Sequence, residues 1–240
     1  MNQNLNSNLA SARSLSFSSM NTHLAVSPRQ LYLYHNGFLK KKYASYQAFG
    51  QCAHSLLLEG KEDFSFYSCD RRTTQGKSEY EALLEQHKFL LSRADYDAIY
   101  RMRDAFRQFV SIKDDAIVEQ KLNWIDTDSG VPCIAVVDLI YDDGIYELKT
   151  VFNIESFRED LIKYRYFAQA SFYVDAIKIL TGKTLEFRWF IIEKKSPYRF
   201  FQLKADRKLI GQGRRWYKKM CAVYAHCVKN NIWSDEKTCI

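Results

Sequence analysis

The first 58 residues of this chain contain no Asp or Glu. Only three prolines and nine glycines occur in 240 residues, which excludes collagen-like and Pro/Gly-rich linker classes. No apolar run reaches the roughly eighteen residues that a membrane-spanning helix needs. The N-terminus lacks the apolar core of a signal peptide, so a cytoplasmic protein without a membrane partner is expected. Six cysteines stand at 52, 69, 133, 221, 227 and 239, with no C-x-x-C among them. A chain of this size needs no disulfide staples, so free thiols are expected. The gaps between Cys221, Cys227 and Cys239 are wider than those of common zinc or iron–sulfur sites.

What is present suits one large domain. Hydrophobic residues make up 47% and aromatic residues 15%, enough for a sizeable core. Residues 1–25, rich in Asn and Ser, read as a flexible polar tail, and 26–240 as a single domain. The net charge of +7 is unevenly spread. Lys40, Lys41 and Lys42 lie in the acid-free first stretch. Residues 194–229 hold eleven Lys/Arg against one acid, Asp206, and the rest of the chain is net acidic. Basic ends around an acidic centre fit a protein that binds a polyanion and holds metal cations. A soluble basic protein without such a role fits the charge equally well.

The expected elements begin with a short helix after Ser27-Pro28. A helix over 46–60 stops at Gly60. Phe64 to Tyr67 reads as a strand. Arg71 to Lys77 reads as a basic loop, followed by a helix capped at Ser78 and running to about Ser92. Another helix spans about 95–110. From residue 115 the period changes to that of strands: 117–124, 131–141 and 145–151, with Asp142-Asp143-Gly144 as a hairpin turn. One long helix over 155–181 ends at Gly182. Strands at 185–193 and 198–203 precede a basic helix over about 205–230. This order describes a mixed α/β (α+β) domain.

Two carboxylates and an ammonium gather around the hairpin. If Asp143-Gly144 form the centre of the turn, residue 142 pairs with 145, 140 with 147 and 138 with 149. Asp138, Glu147 and Lys149 then share one face, and Val137, Leu139, Tyr146 and Leu148 point to a core on the other. Carboxylate oxygens suit a hard cation such as Mg²⁺. Such an ion polarises a phosphate and generates hydroxide, and a lysine beside it stabilises the transition state. Glu119, on the preceding strand, is a candidate third acid. The same spacing also fits an ordinary cross-strand ion pair between Asp138 and Lys149.

Five short motifs occur in order. Gly50 and His54 lie in Phe49–Glu59. Arg72-Thr73-Thr74-Gln75-Gly76-Lys77 forms a basic loop. Glu119 precedes Trp124 and Gly130. Asp138 is followed by Glu147-Leu148-Lys149-Thr150, and Gln169-Ala170-Ser171-Phe172-Tyr173 comes last. Together they resemble the PD-(D/E)xK nuclease superfamily, and within it the RecE-type exonucleases (exodeoxyribonuclease VIII) and their phage relatives. The likeness spans roughly residues 45–205.

That resemblance implies a central mixed sheet flanked by helices and an exonuclease using Mg²⁺, with Mn²⁺ as a substitute. It would act on ends of linear double-stranded DNA, 5′ to 3′, in recombination. It implies a ring-like homo-oligomer and a single-strand annealing partner. By position, His54, Asp138, Glu147 and the carbonyl of Leu148 become metal ligands. Asp138, Glu147 and Lys149 become catalytic. Arg72, Thr73, Lys77, Gln169 and Tyr173 become DNA contacts. The lead-in Ala135-Val136-Val137 departs from the family's G-R-x before the catalytic Asp, and Glu147 stands where RecE proteins commonly carry Asp. Another PD-(D/E)xK endonuclease, or a catalytically silent DNA-binding subunit, are the rival readings.

Overall fold

The computed structural model describes residue 9, residues 11–39 and residues 45–235. Lys40, Lys41, Lys42 and Cys239 lie outside the described residues. A five-stranded sheet organises the molecule, in the order β3 (Ile117–Ile125), β4 (Pro132–Tyr141), β5 (Gly144–Val151), β6 (Glu186–Glu193), β7 (Phe200–Lys204). All neighbours are antiparallel except β5 and β6, which are parallel. A parallel pair needs a crossover, here made by α6 (Phe157–Lys163) and α7 (Tyr166–Thr181). This is a mixed α/β fold with a central mixed sheet and flanking helices.

Each face of the sheet carries its own core. On one face α7, α8 (Arg207–Asn230) and the N-terminal segment pack around Trp124, Phe172, Trp189 and Tyr217. On the other, α3 (Ser45–His54) and α5 (Arg93–Arg107) cover Leu139, Tyr146, Leu148 and Phe190. A small parallel pair, β1 (Phe64–Tyr67) with β2 (Phe89–Ser92), edges this second layer.

Several local expectations hold for physical reasons visible in the structure. Ser27 accepts the Gln30 N–H and Pro28 fills the first turn of α2 (Pro28–His35). α3 continues into a π-helical turn, Ser55–Glu59, closed by Gly60 at φ 67°. Among the described residues no helix is long and apolar enough to cross a membrane. The five described cysteines are free thiols.

Other expectations are corrected. Helix α4 (Thr74–Gln86) starts earlier than expected, with Thr73 rather than Ser78 as its cap. It also ends earlier, leaving room for β2. The expected single helix over 155–181 breaks at Arg165, whose φ is 54°. Asn21 pins that break: its side chain accepts from the Arg165 guanidinium at 2.9 Å and donates to the Tyr164 carbonyl at 3.3 Å.

The described part of the expected flexible tail is packed. Leu15, Met20 and Leu24 are fully buried. Leu15 bridges to Cys133 in β4. Beyond it lie α1 (Phe17–Ser19) and a π-helical turn, Met20–Leu24. Apolar side chains spaced along a Ser/Asn-rich stretch suffice to bury it, whatever its mean polarity.

The hairpin register also differs. Tyr141 pairs with Gly144, Ile140 with Ile145 and Leu139 with Tyr146. Asp142 and Asp143 are therefore the central turn residues, and Lys149 is not paired with Asp138. Nor does Val137 share a core with Leu139: it packs in the first core, and Leu139 in the second.

Candidate functional site

The change of face in β4 happens at Asp138, and β3 shows the same change. Leu122 and Trp124 belong to the first core, whereas Val118 packs against the second. Between Val118↔Leu139 and Gln120↔Val137 the register leaves Glu119 opposite Asp138, outside the pairing. Glu119 takes a left-handed conformation, φ 51°, rare for a residue with a side chain. A left-handed residue within a strand resets its alternation, as bulges do, and re-aims side chains. Here it gathers two carboxylates.

Helix α3 adds the third group from its last turn. His54 Nδ1 lies 3.3 Å from Asp138 Oδ2. Ligand atoms of His54, Glu119 and Asp138 all lie within 4.8 Å of one another. Asp138 is held from behind by the Leu148 N–H, which donates to Oδ2 at 2.8 Å. This contact crosses from β4 to β5 where their ladder has ended.

Glu147 is buried and lines the same cleft. Its Oε1 accepts from Lys149 Nζ at 2.8 Å and from Gln169 Nε2 at 2.7 Å. Gln169 also donates to the Tyr173 hydroxyl at 3.1 Å. Glu147 Oε2 is buried and unpartnered. An orphaned carboxylate oxygen is costly unless something charged or protic meets it. Lys149 Nζ sits 4.6 Å from the centre of the Tyr166 ring, which adds a cation–π contact.

The electrostatics follow from this crowding. Burial and the neighbouring Asp138 charge push the Glu147 carboxyl up to about 7. The same two causes push Glu119 up to about 6. Burial would also raise Asp138, but His54, Lys149 and the Leu148 N–H outweigh it and hold Asp138 below its usual value. Burial disfavours the His54 cation, yet Asp138 overrides it and raises the imidazole above its ordinary range. Lys149 is likewise raised, by Glu147 against the effect of burial. Clustered carboxylates that resist ionising together are what a cation would relieve.

The donor set suits a divalent metal ion. His54, Glu119 and Asp138 present an imidazole and two carboxylates to one point, and the orphaned Glu147 oxygen lies in the same cleft. Glu119, expected only as an additional acid, stands in this group. Glu147 stands outside the three-residue group, engaged with Lys149 and Gln169. Leu148 contributes the N–H that fixes Asp138, and its side chain is buried in the second core.

The remaining expected residues divide. Tyr173 lines the cleft, and Gln169 reaches it through Glu147. Arg72, Thr73 and Lys77 do not line it. Arg72 pairs with Asp70 at 3.0 Å, and Thr73 caps α4. Gly76 serves this turn sterically: a Cβ there would stand 2.1 Å from the Asp70 carbonyl oxygen. On α8, Arg214 is bound to Asp175 at 2.6 Å, and Lys218 to Asp126 and Asp128 at 2.5 and 2.9 Å. These two cations are engaged in ion pairs within the chain.

The cleft itself measures about 1150 Å³. Its floor carries Glu119, Asp138 and Glu147. One wall is α3, and the other includes Ser18, Thr22, His23 and Tyr34 from the N-terminal segment. Sequence reasoning missed this second wall. No local signal marked it, because the Asn- and Ser-rich composition of this segment reads as a polar tail.

Comparison with known proteins places this geometry. No curated protein matches the sequence. The fold is similar to the crystal structure of a protein named as a "putative exonuclease" from Eubacterium rectale. The TM-score is 0.67 at 14% identity, over 96% of this chain and 86% of that one. At that identity the likeness establishes fold alone. A family model described as a PDDEXK-like domain of unknown function (DUF3799) matches residues 16–239. With nearly the whole length matched, the chain belongs to that PDDEXK-like family.

Proposed function

We propose that this protein is a metal-dependent deoxyribonuclease, a RecE-type exonuclease that hydrolyses phosphodiesters at the ends of linear duplex DNA. The observation that carries the reading is the convergence of His54, Glu119 and Asp138 within 4.8 Å, beside the Glu147–Lys149 pair on the next strand. Clustered carboxylates and an imidazole in a cleft, with a largely buried lysine beside them, suit metal-assisted phosphodiester hydrolysis.

His54, Glu119 and Asp138 would hold the ion, with Glu147 adjoining, and Mg²⁺ or Mn²⁺ suits the oxygen-rich set. When bound, the ion supplies Lewis-acid polarisation of the phosphate and a water acidic enough to attack it. The chain's own residues do the rest. Leu148 N–H fixes Asp138, and Gln169 fixes Glu147. Glu147 and the Tyr166 ring hold the Lys149 ammonium where it stabilises charge developing on a bound phosphate. Action 5′ to 3′, a ring-like homo-oligomer and a single-strand annealing partner belong to the same proposal.

The test is digestion of end-labelled linear duplex against covalently closed circles, with and without Mg²⁺. Metal-dependent loss of the linear form alone is expected. Equal cutting of closed circles would favour an endonuclease. No cutting with any divalent ion, together with retained DNA binding, would favour a silent DNA-binding subunit.

A further inference from the structure

The N-terminal wall of the cleft carries an aromatic pair that the metal chemistry does not use. His23, from the π-helical turn, stacks on Tyr34, from α2, with centroids 4.1 Å apart and planes 15° from parallel. Both rings line the cleft that contains Glu119, Asp138 and Glu147. Both are half-buried, so each keeps part of its surface open.

The pair is packed against further rings. Tyr34 contacts the His35 ring at 5.7 Å, and His35 meets the Tyr224 ring of α8 edge-on at 5.8 Å. The array therefore runs from the cleft to the buried face of the longest helix. Aromatic rings locked by packing lose little freedom on meeting a ligand. Ser18 and Thr22 stand on the same wall and offer hydroxyls. The wall has no carboxylate because residues 1–58 contain none. It can therefore approach a phosphate backbone without repulsion, in contrast to the acidic floor.

We infer that the His23–Tyr34 pair is a nucleobase-stacking platform: it receives an unstacked base of the substrate strand while the adjacent phosphate lies over the acidic floor. This rests on the nuclease reading above and deepens it. Aromatic rings on which bases stack, beside groups that can meet the phosphates, are how single-stranded nucleic acid docks without sequence preference. A base inside an intact duplex is already stacked on both sides. The platform thus implies that the strand is engaged as a frayed or unpaired end.

The test compares two linear duplexes with short single-stranded ends, alike except that one carries abasic residues at the terminal unpaired positions. Both keep their phosphates, so only base stacking differs. Wild-type protein with Mg²⁺ is expected to process the abasic end with kcat/KM lower by about tenfold or more, the scale of one lost base–aromatic contact. Tyr34→Leu, which keeps apolar bulk but has no ring, and His23→Ala should both shrink that discrimination towards unity. Equal processing of intact and abasic ends by the wild type would overturn the platform while leaving the nuclease reading standing. Full discrimination retained in both variants would do the same. Failure of the wild type to bind or cut either duplex would overturn both readings. The wild-type comparison needs no variant to fold.

Discussion

Glu119 and Asp138 face each other across the β3–β4 register, at the one rung of that stretch that both strands leave unpaired. The left-handed backbone of Glu119 turns the strand there. The carboxylates are therefore set close by backbone geometry, before any ion is present. Asp138→Asn should keep this geometry, because the amide oxygen can still accept from the Leu148 N–H. It should cost at least about a hundredfold in metal-dependent hydrolysis, since an amide is a much weaker cation ligand and preorganised charge is lost. Circular dichroism and a cutting assay on the same preparation check this. Undiminished cutting would remove Asp138 from the site.

Lys149→Ala should lower the cutting rate by about a hundredfold or more. DNA affinity should change much less, because one cation among many makes a small part of phosphate binding. The relevant comparison is single-turnover rate against equilibrium binding. A variant that cuts normally but binds poorly would recast Lys149 as a docking residue.

Metal affinity should depend on pH in a defined window. Glu119 and Glu147 are pushed up to about 6 and about 7, burial being the larger cause for each. Each must lose its proton before its carboxylate can meet a cation with full charge. Affinity for Mg²⁺ or Mn²⁺ by titration calorimetry should rise from pH 5 and level off above about 7.5. Stability has the opposite sign. Because the folded value of Glu147 lies above its ordinary 4.5, its contribution without metal is full below 4.5 and is lost as pH rises through about 7. The Tm of the metal-free wild type minus that of Glu147→Gln should therefore fall between pH 5 and 7.5. A difference that grows with pH would contradict the assigned electrostatics.

Much of this site was legible in the chain, and what was missed has physical causes. Asp142-Asp143-Gly144 located the hairpin. It did not fix the register, because all three residues suit the tight-turn positions. The apolar run of β4 located a strand, but hid the change of face at Asp138. Nothing local marks Glu119 as left-handed, since neither Gly nor Asn stands there. The break at Arg165 carries no Gly or Pro either, and depends on Asn21, 144 residues away. Gln169 and Tyr173 could be placed on one helix face by their spacing of four. Their shared link to Glu147 needed the packing of α7 on β5.

Gly213 is where α8 approaches the helix bearing Gln169 and Tyr173. A Cβ at 213 would stand 2.1 Å from the Phe167 carbonyl oxygen and 2.3 Å from Ser171 Oγ. Ser171 also donates to Ile210 O of α8 at 2.7 Å, so the crossing has no slack. Gly213→Ala should destabilise the fold by about 1–3 kcal/mol through overpacking. Urea denaturation should show a lower midpoint with an unchanged slope. A neutral result would mean that the helices separate freely, against the close crossing described here.

The N-terminal segment gives the sharpest contrast between composition and structure. A flexible polar tail could be removed without consequence. Here Leu15, Met20 and Leu24 are fully buried, and Leu15 makes backbone hydrogen bonds to Pro132 and Ile134, both 2.8 Å, on either side of Cys133. Fully burying one such side chain is worth about 1.5–3 kcal/mol. Three of them together approach the whole stability of a typical domain, about 5–15 kcal/mol. Deletion through Leu24 should therefore abolish cooperative thermal unfolding. Met20→Ala, a milder change, should cost about 2–5 kcal/mol by leaving a cavity among the first core's side chains. Calorimetry on both variants decides the matter. A truncated chain that melts cooperatively at the wild-type temperature would show that the sheet and its helices close without this segment, and that it binds to a finished domain rather than completing it.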